Sequence, residues 1–264
     1  MPELPEVETV RAGLERLVGQ TINNIEIFDP RVVRTELPLA GREITAVRRR
    51  GKYLWFAFRD GDALLAHLGM SGQFRIGGQS KHERVRLDVG GQTLSFADQR
   101  MFGKLAFSPG GAAGPAEISH IALDLFDPAL DVAQLAAKIR SKRSAVKRVL
   151  LDQSTVSGIG NIYADEALWR SRLHYARPAS GLSTAKIREL LRAAKAVMAE
   201  ALEVGGTSFD ALYVSVVGEA GYFERSLAAY GREGLPCPRC SRPIVREPFM
   251  GRSSFLCRKC QRPQ

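Results

Sequence analysis

The chain has 264 residues, 45% of them hydrophobic, so it can bury a substantial core in one large domain or in two to three small ones. Lysine and arginine outnumber aspartate and glutamate by 38 to 28; the net charge of +10 favours a polyanionic partner, although an ordinary basic protein also fits. The absence of any apolar run of about 18 residues argues against a membrane-spanning helix, and the acidic N-terminus does not fit a secretion signal. We therefore expect a cytoplasmic protein with no membrane contact.

The first third of the chain predicts one helix followed by a β domain. Apolar residues recur every three or four positions along residues 2–19, which is typical of an amphipathic helix. From residue 20 to 107, short runs of β-branched and aromatic residues alternate with Gly, Asp and Asn turns. This pattern predicts a β-sandwich or barrel of about eight strands. We assign residues 1–110 to this N-terminal domain.

The rest of the chain predicts a linker, a helical domain and a small C-terminal module. The stretch "SPGGAAGPAE" is turn-rich, so we place a linker at 111–128. Residues 129–204 predict helices, the last of which starts at a Ser/Thr cap and ends at glycines. We assign 129–233 to a helical domain and 234–264 to the module that holds the cysteines. The expected fold class is α+β multidomain.

The four cysteines form two Cys-x2-Cys pairs separated by 16 residues: Cys237, Cys240, Cys257 and Cys260. This spacing is typical of a tetrahedral structural zinc site, and we expect one Zn²⁺ per chain. Two matched pairs disfavour a redox pair, and four thiolates leave no open position for a catalytic zinc. Between the pairs, "REPFMGRSSF" predicts a β-hairpin whose Arg252 either binds phosphate or is simply solvated.

Two further stretches indicate a nucleic-acid phosphate site. "VSGIGNIYADE" places Gly158, Gly160 and Asn161 just before a helix, where backbone N–H groups can bind anions. The preceding "KIRSKRSAVKR" supplies Lys142 and Lys147 within a dense run of cations. A plain helix connection and a solvated charged face are the alternatives.

"HLGMSGQF" and "DQRMFGKL" each place a large side chain beside a glycine at a predicted hairpin turn. These side chains are Met70, Arg100 and Phe102. A protein that extrudes a base from a duplex must fill the gap, and such side chains are suitable wedges. The alternative is that they are ordinary core or turn residues.

The N-terminus holds a candidate catalytic group. Pro2 is small enough behind the initiator for Met1 to be trimmed, which would give a free secondary amine able to form a cationic iminium with an aldehyde-like carbon. Glu3 could then protonate an oxygen, and Lys52 in "RRRGKYLW" could act as an acid if it lies close by. Alternatively, Pro2 only starts the helix and the glutamates interact with its dipole.

Five motifs, in order and spacing, resemble the formamidopyrimidine-DNA glycosylase family over essentially the whole chain. They are "MPELPEVETV", "GKYL", "HLGMSG", "GIGNIYADE" and "CPRC…GRSSFLCRKCQ". Endonuclease VIII relatives share the architecture but usually begin Pro-Glu-Gly, whereas this chain begins Pro-Glu-Leu. The resemblance implies an N-terminal helix with a β-sandwich, a helix-two-turn-helix domain with a lesion-capping loop at 205–224, and a zinc-finger hairpin.

The resemblance also implies roles for individual residues. Pro2 would attack C1′ of the damaged nucleotide, Glu3 would protonate the opening deoxyribose, Lys52 would serve β-elimination, and Arg252 would serve δ-elimination and phosphate binding. His82, Arg100, Lys147 and Asn161 match DNA-contacting positions, and Arg100 also belongs with Met70 and Phe102 in the set that fills the void. Glu166 matches a structural position.

The implied activity is a bifunctional DNA glycosylase and AP lyase for 8-oxoguanine and formamidopyrimidines, acting as a monomer on double-stranded DNA with oxidised bases or abasic sites. Two alternatives remain: an endonuclease VIII-like enzyme for oxidised pyrimidines, and a non-catalytic binder of damaged DNA. Met101, where many members have arginine, and Glu83-Arg84, where Asp-His is common, are departures that affect DNA contacts.

Overall fold

The computed structural model describes residues 2–77, 81–206 and 226–263. The chain divides into two compact units, which we treat separately: an N-terminal unit of residues 1–120 and 202–222, and a C-terminal unit of residues 121–201 and 223–264. The predicted lesion-capping loop lies outside the described residues from position 207 onward. None of the helices that the structure describes is long and apolar enough to cross a membrane.

The N-terminal unit contains one α-helix, α1 (Leu4–Leu14), and eight strands among its described residues. The strands are β1 (Ile22–Ile27), β2 (Ile44–Arg50), β3 (Tyr53–Phe58), β4 (Ala63–His67), β5 (Gly72–Ile76), β6 (Glu83–Val89), β7 (Gln92–Asp98) and β8 (Lys104–Ser108). They form two antiparallel four-stranded sheets, ordered β1-β6-β7-β5 and β2-β3-β4-β8. The runs that predicted strands correspond to these eight elements.

One hydrophobic core joins the two sheets and the helix. Phe56 of the second sheet packs against Phe74 of the first with ring centroids 5.6 Å apart, and Phe74 packs against Phe96 at 5.1 Å. The same core includes Val7 and Val10 of α1, because the helical spacing of its apolar residues places them on one face. The predicted β-sandwich with an N-terminal helix is therefore confirmed.

The C-terminal unit combines helices with a hairpin. Its described elements are α2 (Val132–Arg140), α3 (Val146–Leu151), α4 (Asn161–Arg170), α5 (Thr184–Glu203), β9 (Val245–Phe249) and β10 (Arg252–Leu256). Helix α3 packs against α4, and α4 packs against β10. The predicted zinc-finger hairpin and the long helix before the glycines are confirmed.

The helical prediction for 129–153 was wrong in one respect, because residues 141–145 separate α2 from α3. Ala145 is not helical (φ −51°, ψ 136°). The Val146 N–H donates to the Arg177 carbonyl at 2.7 Å, and the Ala179 N–H donates to the Ser144 carbonyl at 3.0 Å. These long-range bonds replace helical ones, and residue periodicity carries no signal for them.

Candidate active site and nucleic-acid interface

The N-terminal unit places Pro2 and Glu3 at the start of α1, and both residues are buried. The Glu3 N–H donates to Oε2 of Glu6 at 2.8 Å, and the two residues form a capping box that satisfies the first N–H groups of the helix. Leu4, fully buried, anchors the next position. The backbone that carries the Pro2 nitrogen is therefore held by the helix behind it.

Lys52 lies in the two-residue turn between β2 and β3 and is only 6% exposed. Arg49 ties this turn to α1: its Nε donates to Oε2 of Glu8 at 2.8 Å, and its Nη1 donates to the Gly51 carbonyl at 3.1 Å. The helix that begins beside Pro2 and the hairpin that carries Lys52 are thus linked through Glu8. Sequence reasoning gave Glu8 no role, because its partner lies 41 residues away.

His67, at the end of β4, is a residue that sequence reasoning missed. Burial and, secondarily, the nearby charge of Lys52 lower the pKa of His67 to about 4. Its Nδ1 accepts a hydrogen bond from the Gly69 N–H at 3.2 Å, which places the proton of the neutral ring on Nε2. The "HLGM" motif contains the only available signal, but alternation predicted it simply as a strand residue.

The lowered pKa predicts a specific loss of stability in acid. Below its ordinary value of 6.5, the unfolded histidine takes up a proton that the folded one does not. The contribution of neutral His67 to the free energy of unfolding is therefore complete above pH 6.5. It falls as the pH drops towards 4, by about 2 kcal/mol at pH 5. We expect His67→Gln, which stays neutral, to lose that much less stability between pH 7 and pH 5 in urea unfolding. Equal losses in both proteins would contradict this.

The turn residues Met70, Arg100 and Phe102 come together. Nη1 of Arg100 lies 3.9 Å from Sδ of Met70. A Cβ atom on Gly69 would lie 2.4 Å from the Phe102 carbonyl carbon, so the two turns touch through their backbones and the glycine is required. Met70 is 40% exposed and Phe102 58%, unusual for such apolar side chains, whereas Met101 turns towards the core. We call Met70, Arg100 and Phe102 the wedge.

His82 precedes β6 and has a positive φ of 61°. Its carbonyl accepts a hydrogen bond from the Asp98 N–H at 3.0 Å, at the end of β7 where the turn that carries Arg100 begins. This predicted DNA contact therefore lies next to the wedge. Its backbone is held by the same sheet.

In the C-terminal unit, Lys147 is fully buried. Its Nζ pairs with Oδ1 of Asp165 at 2.7 Å and donates to Oγ of Ser254 at 2.7 Å and to the Ser253 carbonyl at 3.1 Å. This ammonium thus joins α3, α4 and β10 from within the core. Its direct contact with DNA stays a prediction.

Breaking this buried ion pair should be costly. We expect Lys147→Met to lower the free energy of unfolding of the C-terminal unit by about 3–5 kcal/mol, because Asp165, whose pKa burial already raises to about 6, would lose its cation and could stay in the core only by taking up a proton or by keeping an unpaired charge. Adding Asp165→Asn should recover part of that loss. The matched control is Lys186→Met, which removes an exposed pair with Glu189 worth at most about 1 kcal/mol. Hydrogen exchange of the α4 amides measures the stability of the two single variants and the double variant. Equal effects of the two lysine substitutions would refute the expectation.

Asn161 begins α4, and its Nδ2 donates to the Ser253 carbonyl at 2.9 Å. Its Oδ1 is buried and has no hydrogen-bond partner among the described residues. Asn161 and Lys147 therefore hold the same segment of β10, immediately after Arg252.

Lys142 is half-buried and pairs with Asp152 at 2.9 Å.

Arg252 starts β10 and is exposed. It lines a cavity of about 280 Å³ together with Arg148, Leu151, Asp152 and Met250. The side chains of Arg148 and Arg252 form no hydrogen bond or ion pair within the described ranges, whereas Arg246 donates to Oγ of Ser253. Two available guanidinium groups on one cavity are suited to a phosphate.

The four predicted metal ligands converge in the same unit. The Sγ atoms of Cys237, Cys240, Cys257 and Cys260 all lie within 4.8 Å of one another. Nε1–H of Trp169 donates to Sγ of Cys237 at 3.4 Å, an outer contact that orients this thiolate. Four thiol ligands fit a closed tetrahedral zinc site. The donor set therefore fits the metal that the spacing predicted.

Known proteins similar to this chain settle its family. Family models match residues 1–105 as the formamidopyrimidine-DNA glycosylase N-terminal domain, 121–212 as its H2TH domain, and 234–263 as a zinc finger found in FPG and IleRS. A formamidopyrimidine-DNA glycosylase of a Nocardioides species is 55% identical, with 99% of this chain and 94% of the relative covered. The chain belongs to the formamidopyrimidine-DNA glycosylase family. Its zinc is structural, one ion per chain, held by the four cysteines.

Solved members of the family share the fold over their whole length. The MutM (Fpg) protein of Thermus thermophilus is 40% identical, with 98% of each chain covered and a TM-score of 0.89. Lactococcus lactis Fpg, in a complex with abasic-site DNA, is 32% identical, with 99% of this chain and all of that chain covered and a TM-score of 0.88. The resemblance drawn from five motifs is thereby confirmed.

Glu166, one residue after Asp165 in this family's helix-two-turn-helix domain, is fully buried. Its carboxylate accepts hydrogen bonds from the backbone N–H groups of Ala228, Ala229 and Tyr230, at 2.8 to 3.1 Å. These bonds fasten α4 to the chain that leads into the zinc finger. They support the structural role that the resemblance implied.

Proposed function

We propose that the protein excises oxidised purines, 8-oxoguanine and formamidopyrimidines, from double-stranded DNA and then cleaves the strand by β,δ-elimination. The observation that carries the proposal is the linked pair of elements in the N-terminal unit: the capped helix start with Pro2 and Glu3, and the turn with buried Lys52, joined through Glu8 and Arg49. Family membership supplies the reaction class.

In this proposal, Met1 is removed and the Pro2 secondary amine attacks C1′ of the damaged nucleotide. The bond from C1′ to the base breaks, the base leaves with its electron pair and takes up a proton, and Glu3 protonates the ring oxygen as the deoxyribose opens. The resulting iminium makes the C2′ proton acidic. Loss of that proton expels the 3′-phosphate with assistance from Lys52, and a second elimination expels the 5′-phosphate with assistance from Arg252.

The remaining candidates would hold the duplex. Arg252, Asn161 and Lys142 would bind backbone phosphates, with Lys147 orienting the segment of β10 beside Arg252. The wedge would fill the space left by the extruded nucleotide, and His82 would contact the backbone next to it. Solved Lactococcus lactis Fpg complexes contain abasic-site DNA and N7-benzyl-Fapy-dG DNA, which supports duplex DNA of this kind as the partner.

We also propose the domain division set out above: 1–110 for the catalytic β-sandwich, 111–128 for the linker, 129–233 for the helical domain with the capping loop, and 234–264 for the zinc finger. The protein would act as a monomer. Because the proposed substrate is genomic DNA, it would work in the bacterial cytoplasm at the nucleoid.

One comparison tests the proposal and its alternatives together. Under single-turnover conditions, the zinc-loaded protein should cleave a duplex with 8-oxoguanine opposite cytosine faster than one with thymine glycol, and borohydride should trap a covalent protein–DNA adduct. Faster cleavage of thymine glycol would instead establish the endonuclease VIII-like alternative. Tight binding to damaged duplex without cleavage or adduct would establish a non-catalytic binder.

A further inference from the structure

Asp98, the last residue of β7, is a buried carboxylate to which the reaction assigns no role. It is fully buried, and it forms no ion pair within the part of the chain that the structure describes. A buried charge is costly unless its lone pairs are satisfied by hydrogen bonds. The hydrogen-bond donors to the Asp98 carboxylate therefore indicate its structural role.

Those donors come from both turns of the wedge. Oδ1 accepts from Oγ–H of Ser71 at 2.5 Å and from the Arg100 N–H at 3.2 Å, and Oδ2 accepts from the Gly103 N–H at 2.7 Å. Ser71 directly follows Met70, and Gly103 directly follows Phe102. The Arg100 N–H also donates to Oγ of Ser71 at 2.9 Å, which closes the network. One carboxylate thus holds the backbone next to all three wedge residues.

The backbone of Asp98 extends the same network to the predicted DNA contact His82. Its N–H donates to the His82 carbonyl, and its own carbonyl accepts from Nε of Arg84 at 2.9 Å. Arg84 belongs to the pair Glu83-Arg84, which stands where Asp-His is common in the family. Asp98 therefore connects both turns of the wedge to the segment that carries His82.

The backbone of Gly103 is closely packed against the Asp98 carboxylate. A Cβ atom on Gly103 would lie 2.9 Å from Oδ2 of Asp98 and 2.7 Å from Cζ of Phe96. The turn is packed against both groups, so a side chain at position 103 would displace the Phe96 ring or the Asp98 carboxylate. Such close packing restricts movement of the turn that carries Arg100 and Phe102.

We propose that Asp98 is a positioning residue that pre-organises the wedge for insertion into DNA; this rests on the proposed function. Met70 and Phe102 are exposed apolar side chains with little packing of their own, so their turns need another source of order. With the turns already fixed, insertion does not require ordering of their backbone when a nucleotide is extruded. Without Asp98, the wedge would be present but loosely placed.

The test compares two substrates that differ in how much they need the wedge. Excision of 8-oxoguanine from an intact duplex requires extrusion of a stacked base, whereas cleavage at a preformed abasic site does not. We expect Asp98→Ala to slow single-turnover excision at least about tenfold and abasic-site cleavage at most about threefold, the difference matching the loss of one to two buried hydrogen bonds. Asp98→Asn should fall between, since its amide can still accept from Gly103 and donate to Ser71.

Asp88→Ala is the matched control, because Asp88 lies one residue before the end of β6 in the same sheet and accepts a turn N–H, from Gly91 at 2.9 Å, but lies outside the wedge. A second readout is the fluorescence of 2-aminopurine placed beside a tetrahydrofuran abasic analogue, which should rise on binding of the parent protein and rise less with Asp98→Ala. Equal slowing of both reactions, or unchanged excision and fluorescence, would overturn the proposal. If Asp98→Ala does not fold, Asp98→Asn and Ser71→Ala test the proposal instead. The measured quantity is again the slowing of excision relative to the slowing of abasic-site cleavage. Failure of the proposed function itself would appear separately, as inactivity of the parent protein on both substrates.

Discussion

Replacing Pro2 with glycine is expected to lower single-turnover excision of 8-oxoguanine at least about 100-fold and to weaken borohydride trapping to a similar degree. The secondary amine of proline can form only a cationic iminium, whereas a glycine amine forms an imine that must gain a proton to act as an electron sink. Glycine would also loosen the position of the amine beside the capping box of Glu3 and Glu6. Intact mass should show Met1 removed from both proteins, because an acylated Pro2 nitrogen cannot attack.

Glu3→Gln is the matched control for this experiment. It keeps the Pro2 amine, so an adduct with preformed abasic-site DNA should still be trapped, while excision of the base should fall strongly. A Pro2→Gly variant that cuts as well as the parent would remove both the role assigned to Pro2 and the main reason to call the linked elements a catalytic site.

Removing the zinc is expected to unfold the hairpin of β9 and β10 and to weaken DNA binding at least about tenfold. The apolar core beside the hairpin is small and consists of Trp169 of α4 with Cys237, Phe255 and Cys257 among a few others, so the metal supplies much of the hairpin's stability. Structural zinc contributes roughly 10–16 kcal/mol in isolated zinc-finger peptides. Arg252 would lose its fixed position when the strand that begins with it unfolds.

Hydrogen exchange after chelation, with zinc content measured in parallel, tests this expectation. Amides of β9 and β10 should lose protection, amides of the N-terminal sheets should keep theirs, and added Zn²⁺ should restore both protection and DNA affinity. Cys240→Ser should reproduce the effect without a chelator. A hairpin that stays protected in zinc-free protein would show that packing alone holds it.

Much of the architecture was readable from local patterns. Eight runs of β-branched and aromatic residues predicted β1 to β8, because alternation and turn residues act over a few positions. The cysteine spacing predicted the metal site for a similar reason, since two rigid Cys-x2-Cys turns limit the ligand geometry. The break between α2 and α3 was missed, because bonds to residues 177–179 produce it.

The candidate residues divide in the same way. Pro2, Lys52, Met70 and the cysteines are visible in the sequence as residue types at informative positions, and five ordered motifs identify the family. The contacts that hold these positions in place join distant residues: Glu8 with Arg49, Lys147 with Asp165 and Ser254, and Asp98 with Ser71. Folding creates these pairings, and side chains that meet across 18 to 107 positions leave no periodic trace in the chain.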